Sequence, residues 1–354
     1  MGVIVQEQAG LFHLQSSGMS YLIQIVDGYP VHGYWGGRLK HRETMGDLLI
    51  HTPARAGLDR LPQEYPQYGS GDFRNPAYQA ELEDGTRITE LKYDGYRILK
   101  GKPPLSGLPA VYTENESEAE TLELILKDAY SGLKVVLLYS IFTDRNVIIR
   151  SARLINEGDK KLRLRRALSA NVDFSGHSDL EMVYLSGAWA REGNMKRRPL
   201  EQGETRIDSK RGVSSHQFNP FAALVTPETT ERHGEAFGFS LVYSGGFEAG
   251  AEVDSFGSTR FSIGVNSFDF AWQLNPRENF QTPEAVMVYS AQGLGEMSRT
   301  YHRLYRTRLC RGKYRDEERP ILVNNWEATY FDFNADKLVS IAEEGAKLGI
   351  ELFV

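Results

Sequence analysis

The chain has 354 residues, of which 41% are apolar and 25% are charged, and its formal net charge is −6. This composition is typical of a folded globular protein rather than a disordered or fibrous one, and a mildly acidic chain is not expected to bind nucleic acid. No window reaches the ~18 apolar residues of a membrane helix, and no basic region precedes an apolar core at the start, as it would in a signal peptide. The single cysteine, Cys310, rules out an internal disulfide and favours a cytoplasmic location.

Most of the chain is predicted to form β-strands. Stretches rich in Val, Ile, Phe and Tyr are broken at short intervals by polar or Gly-containing segments, which favours a sandwich over alternating βα units. The predicted strands include residues 121–128, 133–142, 145–156, 161–174, 237–247 and 259–274. They extend from about residue 10 to about residue 290, so the sheets must form one large sandwich or two fused sandwiches.

Three local patterns could indicate a functional site, but each is better explained by a structural role. In "KKLRLRR" (160–166) the charges alternate with Leu162 and Leu164, which is typical of the wet face of a strand. "YGSGDFR" (68–74) lacks the Lys-Ser/Thr of a phosphate loop, and its Asp72 and Arg74 are predicted to form an ion pair or to anchor a turn. The eight histidines show no metal-ligand spacing, so no metal site is predicted.

The pattern changes near residue 293. Residues 293–310 place apolar side chains on one face of a basic helix, and the polar residues 311–320 suit a linker. A strand, a helix that Asn334 can cap and Gly349 can end, and a second strand follow; their ranges are 321–326, 334–349 and 350–354. This order is that of a βαβ unit, whose strands are expected to be parallel and buried on both faces.

The chain is therefore predicted to have three parts. They are a β-domain at 1–292, a helical linker at 293–319 and the start of a parallel α/β domain at 320–354. Since one βαβ unit cannot bury its own faces, we expect the chain to be a fragment that stops inside the first turn of a barrel or open sheet. In the alternative, "IELFV" (350–354) pairs back onto the β-domain as an edge strand.

Several long motifs resemble those of bacterial glycoside hydrolase family 36 α-galactosidases. They are "LPQEYPQYGSGDFRNPAYQ" (61–79), "GKPPLSGLPAVY" (101–112), "GVSSHQFNPF" (212–221), "FGFSLVYSGGF" (237–247) and "PILVNNWEATYFDF" (320–333) joined to "GIELFV". The resemblance extends from "FHLQ" (12–15) to Val354. It implies a mainly β chain, with a large N-terminal β-supersandwich followed by the first βαβ unit of a truncated catalytic (β/α)8 TIM barrel.

The resemblance also implies an activity. Family members hydrolyse terminal α-D-galactose from melibiose, raffinose and related α-galactosides with retention of configuration, and they need no metal or organic cofactor. Retaining hydrolysis needs two carboxyl groups about 5–5.5 Å apart, and the family's catalytic carboxylates would lie beyond residue 354. We therefore expect the 354-residue chain to be inactive alone. Many members are homotetramers in which the N-terminal domain reaches a neighbouring subunit's site.

Three sugar-binding residues carry over from the family. Trp326 follows the first barrel strand, where an indole can stack on the C–H face of a pyranose. Arg55 and Asp47 match an Arg and an Asp that enter a neighbouring subunit's site, with Asp59 as the alternative for the acid. A guanidinium donates to vicinal hydroxyls and a carboxylate accepts from them.

Two other functions stay open from the sequence. A β-sandwich with 39 aromatic side chains could bind saccharides without hydrolysis, or could mainly assemble an oligomer; the count combines 17 Phe, 18 Tyr and 4 Trp. A related transglycosidase, similar to raffinose synthase, would share the retaining intermediate and differ in the acceptor that reaches it.

Overall fold

The computed structural model describes residues 1–42, 45, 58–69 and 71–354. The described residues fall into two compact units, Met1–Arg308 and Leu309–Val354. Strands dominate the first unit and the second mixes helices with short strands, so the predicted mainly β fold class is confirmed. Among the described helices, none is long and apolar enough to span a bilayer.

The first unit is built almost entirely from strands. In chain order they are β1 (Gly2–Gln6), β2 (Leu11–Gln15), β3 (Met19–Val26), β4 (Tyr29–Gly37), β5 (Tyr78–Glu81), β6 (Lys92–Lys100), β7 (Ala119–Lys127), β8 (Leu133–Phe142), β9 (Val147–Asn156), β10 (Leu162–Phe174), β11 (Glu181–Ala188), β12 (Arg191–Pro199), β13 (Gly203–Asp208), β14 (Phe218–Val225), β15 (Ala236–Val242), β16 (Phe247–Val253), β17 (Thr259–Val265), β18 (Trp272–Leu274), β19 (Asn279–Gln281) and β20 (Glu284–Ser290). The strands predicted at 121–128, 133–142, 145–156 and 161–174 are confirmed as β7 to β10.

The described strands of this unit form three antiparallel sheets. The four-stranded sheet has the order β1-β2-β3-β4. The six-stranded sheet has the order β13-β16-β17-β10-β18, with β5 also paired to β10. The ten-stranded sheet has the order β12-β11-β14-β15-β20-β9-β8-β7-β6, with β19 also paired to β9. Neighbours along the chain are often neighbours in a sheet, as short connections between antiparallel strands require.

One apolar core joins all three sheets. Phe239 of β15 stacks on Phe261 of β17 with ring centroids 4.1 Å apart, and this contact bridges the ten-stranded and six-stranded sheets. Trp35 of β4 packs edge-on against Phe237 and Phe239, and so brings the four-stranded sheet into the same core. Each such buried side chain contributes roughly 1.5–3 kcal/mol of transfer free energy.

Two predicted strands are each broken in the structure. The strand predicted at 237–247 ends at Val242, and the chain turns through Gly245 and Gly246 before β16 begins. The strand predicted at 259–274 is interrupted after Val265, where the Asn266 side chain donates to the carbonyl oxygens of Ser209 and Phe247. These side-chain bonds hold a turn that apolar content alone does not reveal.

The basic stretch at 160–166 lies on a strand, as predicted. On β10, Leu162 and Leu164 are buried while Arg163 between them is exposed. Arg163 lies 3.6 Å from Glu81 of β5 in a partly exposed ion pair. The run is therefore the outer face of a sheet, in agreement with the period-two pattern.

Helix α1 (Gly293–Arg308) packs on the ten-stranded sheet. Its buried apolar face confirms the predicted amphipathic helix and consists of Leu294, Met297, Tyr301 and Leu304. The Tyr301 hydroxyl donates to the carbonyl oxygen of Val286 on β20 (3.0 Å). Gly238 of β15 lies under the helix, and a Cβ there would lie 2.7 Å from the Met297 sulfur and 2.8 Å from the Tyr301 ring. The missing side chain lets α1 approach the sheet.

A buried carboxylate, Glu64, lies where the sheets meet. It accepts hydrogen bonds from the hydroxyls of Tyr21 (2.8 Å) and Tyr139 (2.6 Å) and from Nδ1 of His32 (2.9 Å). The Arg150 guanidinium lies 3.0 Å away. Burial alone would raise the pKa of Glu64, but the charge of Arg150 and the His32 hydrogen bond hold this pKa below its usual value of 4.5.

A second buried cluster lies beside the first. The predicted Asp72–Arg74 ion pair is confirmed, with Nε 3.0 Å from Oδ1. Arg260 of β17 bridges two carboxylates, at 2.7 Å from Asp173 and 2.9 Å from Asp72. Burial would raise the pKa of Asp173, but Arg260 and Arg74 hold this pKa below its usual range. The Asn171 side chain also donates to Asp173 and to the carbonyl oxygen of residue 63.

The second unit contains strands β21 (Leu322–Val323) and β22 (Leu352–Phe353) and helices α2 (Trp326–Thr329) and α3 (Ala335–Lys347). The two strands are parallel, as predicted, with Leu322 opposite Leu352. Because β22 pairs with β21, the alternative in which residues 350–354 join the β-domain is wrong. The predicted cap is confirmed, since the Asn334 side chain accepts from the backbone N–H of Lys337 (3.0 Å).

Replacing Gly238 tests the close approach of α1. Gly238→Ala should destabilise the chain by about 1–3 kcal/mol because the new methyl group would overlap the Met297 and Tyr301 side chains. Chemical denaturation followed by circular dichroism measures the change. Gly250→Ala on β16 is the matched control, since its nearest neighbour would be at an ordinary 3.4 Å. Equal denaturation midpoints for the two variants would contradict this packing.

Replacing Glu64 tests the buried charge cluster. Glu64→Gln should lower the free energy of unfolding by about 3–5 kcal/mol at pH 7, because it leaves the Arg150 charge buried without its partner. The control Glu157→Gln removes a partly exposed partner of Lys127 and Lys134 and should lower the free energy of unfolding by at most about 1 kcal/mol.

The stabilisation by Glu64 should also depend on pH. Since the folded pKa of Glu64 is lowered, its stabilisation is present above the unfolded pKa and is lost as pH falls through the folded value. Melting curves between pH 7 and pH 3 should therefore bring wild type and Glu64→Gln closer together, and parallel curves would refute the assignment.

Candidate functional site

The parallel strand pair of the second unit sets the direction of the turn that follows β21. The backbone N–H of Val354 donates to the carbonyl oxygen of Val323 (3.0 Å), and the N–H of Asn325 donates to the carbonyl oxygen of Val354 (3.1 Å). Residues 324–326 therefore leave the carboxyl end of β21. In parallel α/β folds this is the end at which ligands bind.

Two asparagines hold the turn. The Asn324 side chain accepts from the backbone N–H of Trp326 (2.7 Å), which ends the strand earlier than the sequence predicts and starts helix α2. The Asn325 side chain donates to the hydroxyl of Thr329 (2.7 Å), and Thr329 is buried. These local bonds fix the backbone that carries the Trp326 indole.

Trp326 belongs to a group of exposed rings. Tyr330 and Phe331 meet it nearly edge-on, with ring centroids 5.6 Å and 5.1 Å away, and these three side chains are called the aromatic platform below. Trp326 is 46% exposed and Phe331 is 84% exposed. Tyr330 has φ 46°, which a non-glycine residue seldom adopts, and backbone strain of this kind clusters at functional sites.

The aromatic platform has the ring chemistry of a sugar-binding surface, and its three side chains include no carboxyl group. An exposed indole supported edge-on by two other rings can contact the apolar face of a pyranose. Cleavage with retention needs a nucleophilic carboxylate and an acid/base carboxyl group on opposite sides of the glycosidic bond. Within the described residues, no group of three or more His, Cys, Asp or Glu side chains could hold a metal ion.

The three predicted site residues differ in what the structure says of them. Trp326 lies at the carboxyl end of the first strand of its unit, half-exposed. Asp47 and Arg55 lie outside the described residues. Asp59, the alternative acid, lies in a short helical turn (Leu58–Arg60), where its backbone N–H donates to the carbonyl oxygen of Gly71 (3.0 Å). Of the three predicted residues, Trp326 alone therefore has a described position.

The sequence reasoning did not identify Tyr330 and Phe331. A signal was present, because three of the four residues from Tyr330 to Phe333 are aromatic and follow a strand end. An aromatic-rich segment is more often buried, so its residue types alone do not predict the edge-on contacts with Trp326. The positive φ of Tyr330 could not be read from its residue type.

Comparison with known proteins gives the family. The glycosyl hydrolase family 36 N-terminal domain matches residues 28–275, and the melibiase family matches residues 279–354. Alpha-galactosidase AgaA of Geobacillus stearothermophilus is 53% identical over 367 residues, a match that covers 100% of this chain and 50% of AgaA. Alpha-galactosidase Mel36A of Lactobacillus acidophilus is 43% identical, over 98% of this chain and 49% of Mel36A.

Solved structures agree with this assignment. The crystal structure of the α-galactosidase AgaB from Geobacillus stearothermophilus matches with a TM-score of 0.93 at 53% identity, over 100% of this chain and 50% of AgaB. An AgaA variant in complex with raffinose matches with a TM-score of 0.92 at 53% identity, over 97% of this chain and 49% of the variant. The chain thus spans about half the length of the curated relatives it matches. It belongs to glycoside hydrolase family 36, of which it carries the N-terminal domain and part of the melibiase region.

Proposed function

We propose that this chain is the N-terminal half of a retaining α-galactosidase that removes terminal α-D-galactose from melibiose, raffinose and related α-galactosides. The aromatic platform at the carboxyl end of β21 is the observation that carries this proposal. Relatives named α-galactosidases support it, as do AgaA variants solved in complex with raffinose and with stachyose. Residues 1–292 are assigned to the supersandwich, 293–319 to the helical linker and 320–354 to the start of the barrel.

The chemistry divides between this chain and the part of its relatives that it does not span. Trp326 binds the apolar face of galactose and orients the anomeric carbon. The nucleophile and the acid/base group, about 5–5.5 Å apart in retaining enzymes, are assigned to the part of the relatives that this chain does not span. Two carboxyl groups suffice for the first displacement, which forms a glycosyl-enzyme, and for the second, in which water hydrolyses it. The reaction therefore requires no metal or organic cofactor.

The protein is further proposed to be a cytoplasmic homotetramer with composite sites. Arg55 and Asp47 of one subunit reach the galactose bound by its neighbour. The planar guanidinium donates two hydrogen bonds to adjacent hydroxyls, and the carboxylate accepts from a third. A closed symmetric oligomer allows every subunit to give and to receive such a loop.

Trp326→Ala tests the aromatic platform. In a hybrid chain that joins residues 1–354 to the second half of AgaA, hydrolysis of a nitrophenyl α-galactoside is expected, and Trp326→Ala should lower kcat/KM about 10- to 100-fold, a loss of about 1.4–2.7 kcal/mol. Trp189→Ala is the control, because Trp189 is 86% exposed on the β11–β12 hairpin. Equal effects of the two substitutions would refute the assigned role of Trp326. A hybrid that binds melibiose without cleaving it would favour the non-hydrolytic module.

Mixed oligomers test the composite site. Hybrid chains carrying Arg55→Ala or Trp326→Ala should each be nearly inactive as homotetramers. If Arg55 acts across subunits, unfolding and reassembling the two variants together should restore about a quarter of wild-type activity, since random pairing gives that share of intact sites. Arg87→Ala, which removes an exposed partner of Glu81, should keep full activity. No recovery in the mixture would place Arg55 and Trp326 in the same subunit's site or remove Arg55 from it.

A further inference from the structure

A cavity of about 290 Å³ lies in the first unit and shares no residue with the aromatic platform. It lies beside β4, the end of β10 and the start of β15. The lining side chains that bear on its chemistry are His32, Tyr34, Trp35, Phe174, Glu235 and Phe237. Its volume equals that of about ten water molecules at roughly 30 Å³ each, which is enough for one sugar ring with some of its water.

His32 lines this cavity with a ring nitrogen that has no described partner. The imidazole is buried, with 7% of the residue exposed, and its Nδ1 lies 2.9 Å from the Glu64 carboxylate. Because Arg150 and the tyrosine hydroxyls keep Glu64 ionised, the carboxylate only accepts, so Nδ1 carries a proton. No described residue forms a hydrogen bond to the other ring nitrogen, Nε2.

Glu235 is a hydrogen-bond acceptor on the cavity wall. One of its carboxylate oxygens accepts from the Tyr289 hydroxyl (2.5 Å), which holds the side chain in place. Asp173 also lines the cavity, but Arg260 and Arg74 neutralise its carboxylate. None of the described lining residues is Lys or Arg, so no ammonium or guanidinium group among them would hold a phosphate or a carboxylate ligand.

An aromatic wall faces these polar groups. Trp35 meets Phe237 edge-on at 5.2 Å, and Phe174 meets Phe237 edge-on at 5.0 Å. The Trp35 N–H donates to the Met19 sulfur (3.0 Å) and is therefore already used inside the core. The wall thus offers rings, while His32 and Glu235 offer polar groups for hydrogen bonding.

We infer that this cavity is a saccharide site, which binds one neutral pyranose ring. Sugar hydroxyls can donate to the carboxylate of Glu235 and can form a hydrogen bond with Nε2 of His32, and the C–H face of the ring matches the aromatic wall. A concave site with apolar walls and a few fixed polar groups is the usual form of a small-molecule site. The Glu64–His32 pair holds the imidazole in place before the ligand arrives.

The test uses the 354-residue chain with Trp326→Ala, which removes the aromatic platform, and the probes D-galactose and melibiose. Ligand-observed NMR titration should give a dissociation constant in the low millimolar range, and the Nε2 resonance of ¹⁵N-labelled His32 should shift on saturation. Ser175 lines the cavity, so Ser175→Phe should fill it and weaken binding by about tenfold or more. Ser178→Phe, three residues along and outside the lining, is the control and should bind as before.

His32 itself is a poor test, since its replacement would also unpair buried Glu64 and could unfold the chain. Glu235→Gln keeps the size of the side chain and an acceptor for Tyr289, and should weaken binding severalfold by removing the charge next to the sugar hydroxyls. No binding by the Trp326→Ala chain, or equal binding by the Ser175→Phe and Ser178→Phe chains, would overturn the site. Neither result depends on hydrolysis by the hybrid enzyme, so the saccharide site and the proposed hydrolysis are tested independently.

Discussion

The buried carboxylate of Glu64 is the constraint on which the first unit depends. Its partners come from different sheets, with Tyr21 on β3 and Tyr139 and Arg150 on the ten-stranded sheet. Arg150 also donates to the backbone carbonyl of Asn171 on β10 (2.6 Å), which connects the six-stranded sheet. A buried charge is tolerated only when its partners are all in place. The three sheets can therefore pack in few other ways without leaving a charge unpaired.

The same charge cluster determines what the surface nearby can bind. His32 bonds to Glu64 on one side and lines the cavity on the other. Asp173 lines that cavity too, but its charge is cancelled from behind by Arg260. The described lining residues thus include the Glu235 carboxylate and the His32 imidazole but no Lys or Arg, a combination suited to hydroxyl groups. Stability and recognition share the same side chains here.

In the second unit, the pairing of two short strands fixes the position of the candidate binding residue. The parallel pairing of β21 with β22 gives the turn at residues 324–326 its direction, and Asn324 and Asn325 hold it. The position of the Trp326 indole follows from this backbone. Binding residues on a turn held by regular structure are typical of α/β enzymes. The family assignment and the proposed function give this position its meaning.

The sequence by itself determined the features that depend on local pattern. Runs rich in Val, Ile, Phe and Tyr predicted β7 to β10, helical spacing predicted α1 and α3, and long motifs predicted the family. The turn after Val265 was missed because side-chain bonds from Asn266 to distant carbonyls hold it. Only the tertiary structure decided the Glu64 cluster, the cavity beside His32 and the edge-on contacts of Tyr330 and Phe331 with Trp326. Their partners are brought together by folding, as Glu64 and Arg150 are from 86 residues apart in the chain, and a local pattern carries no information about which distant side chain will complete a buried charge.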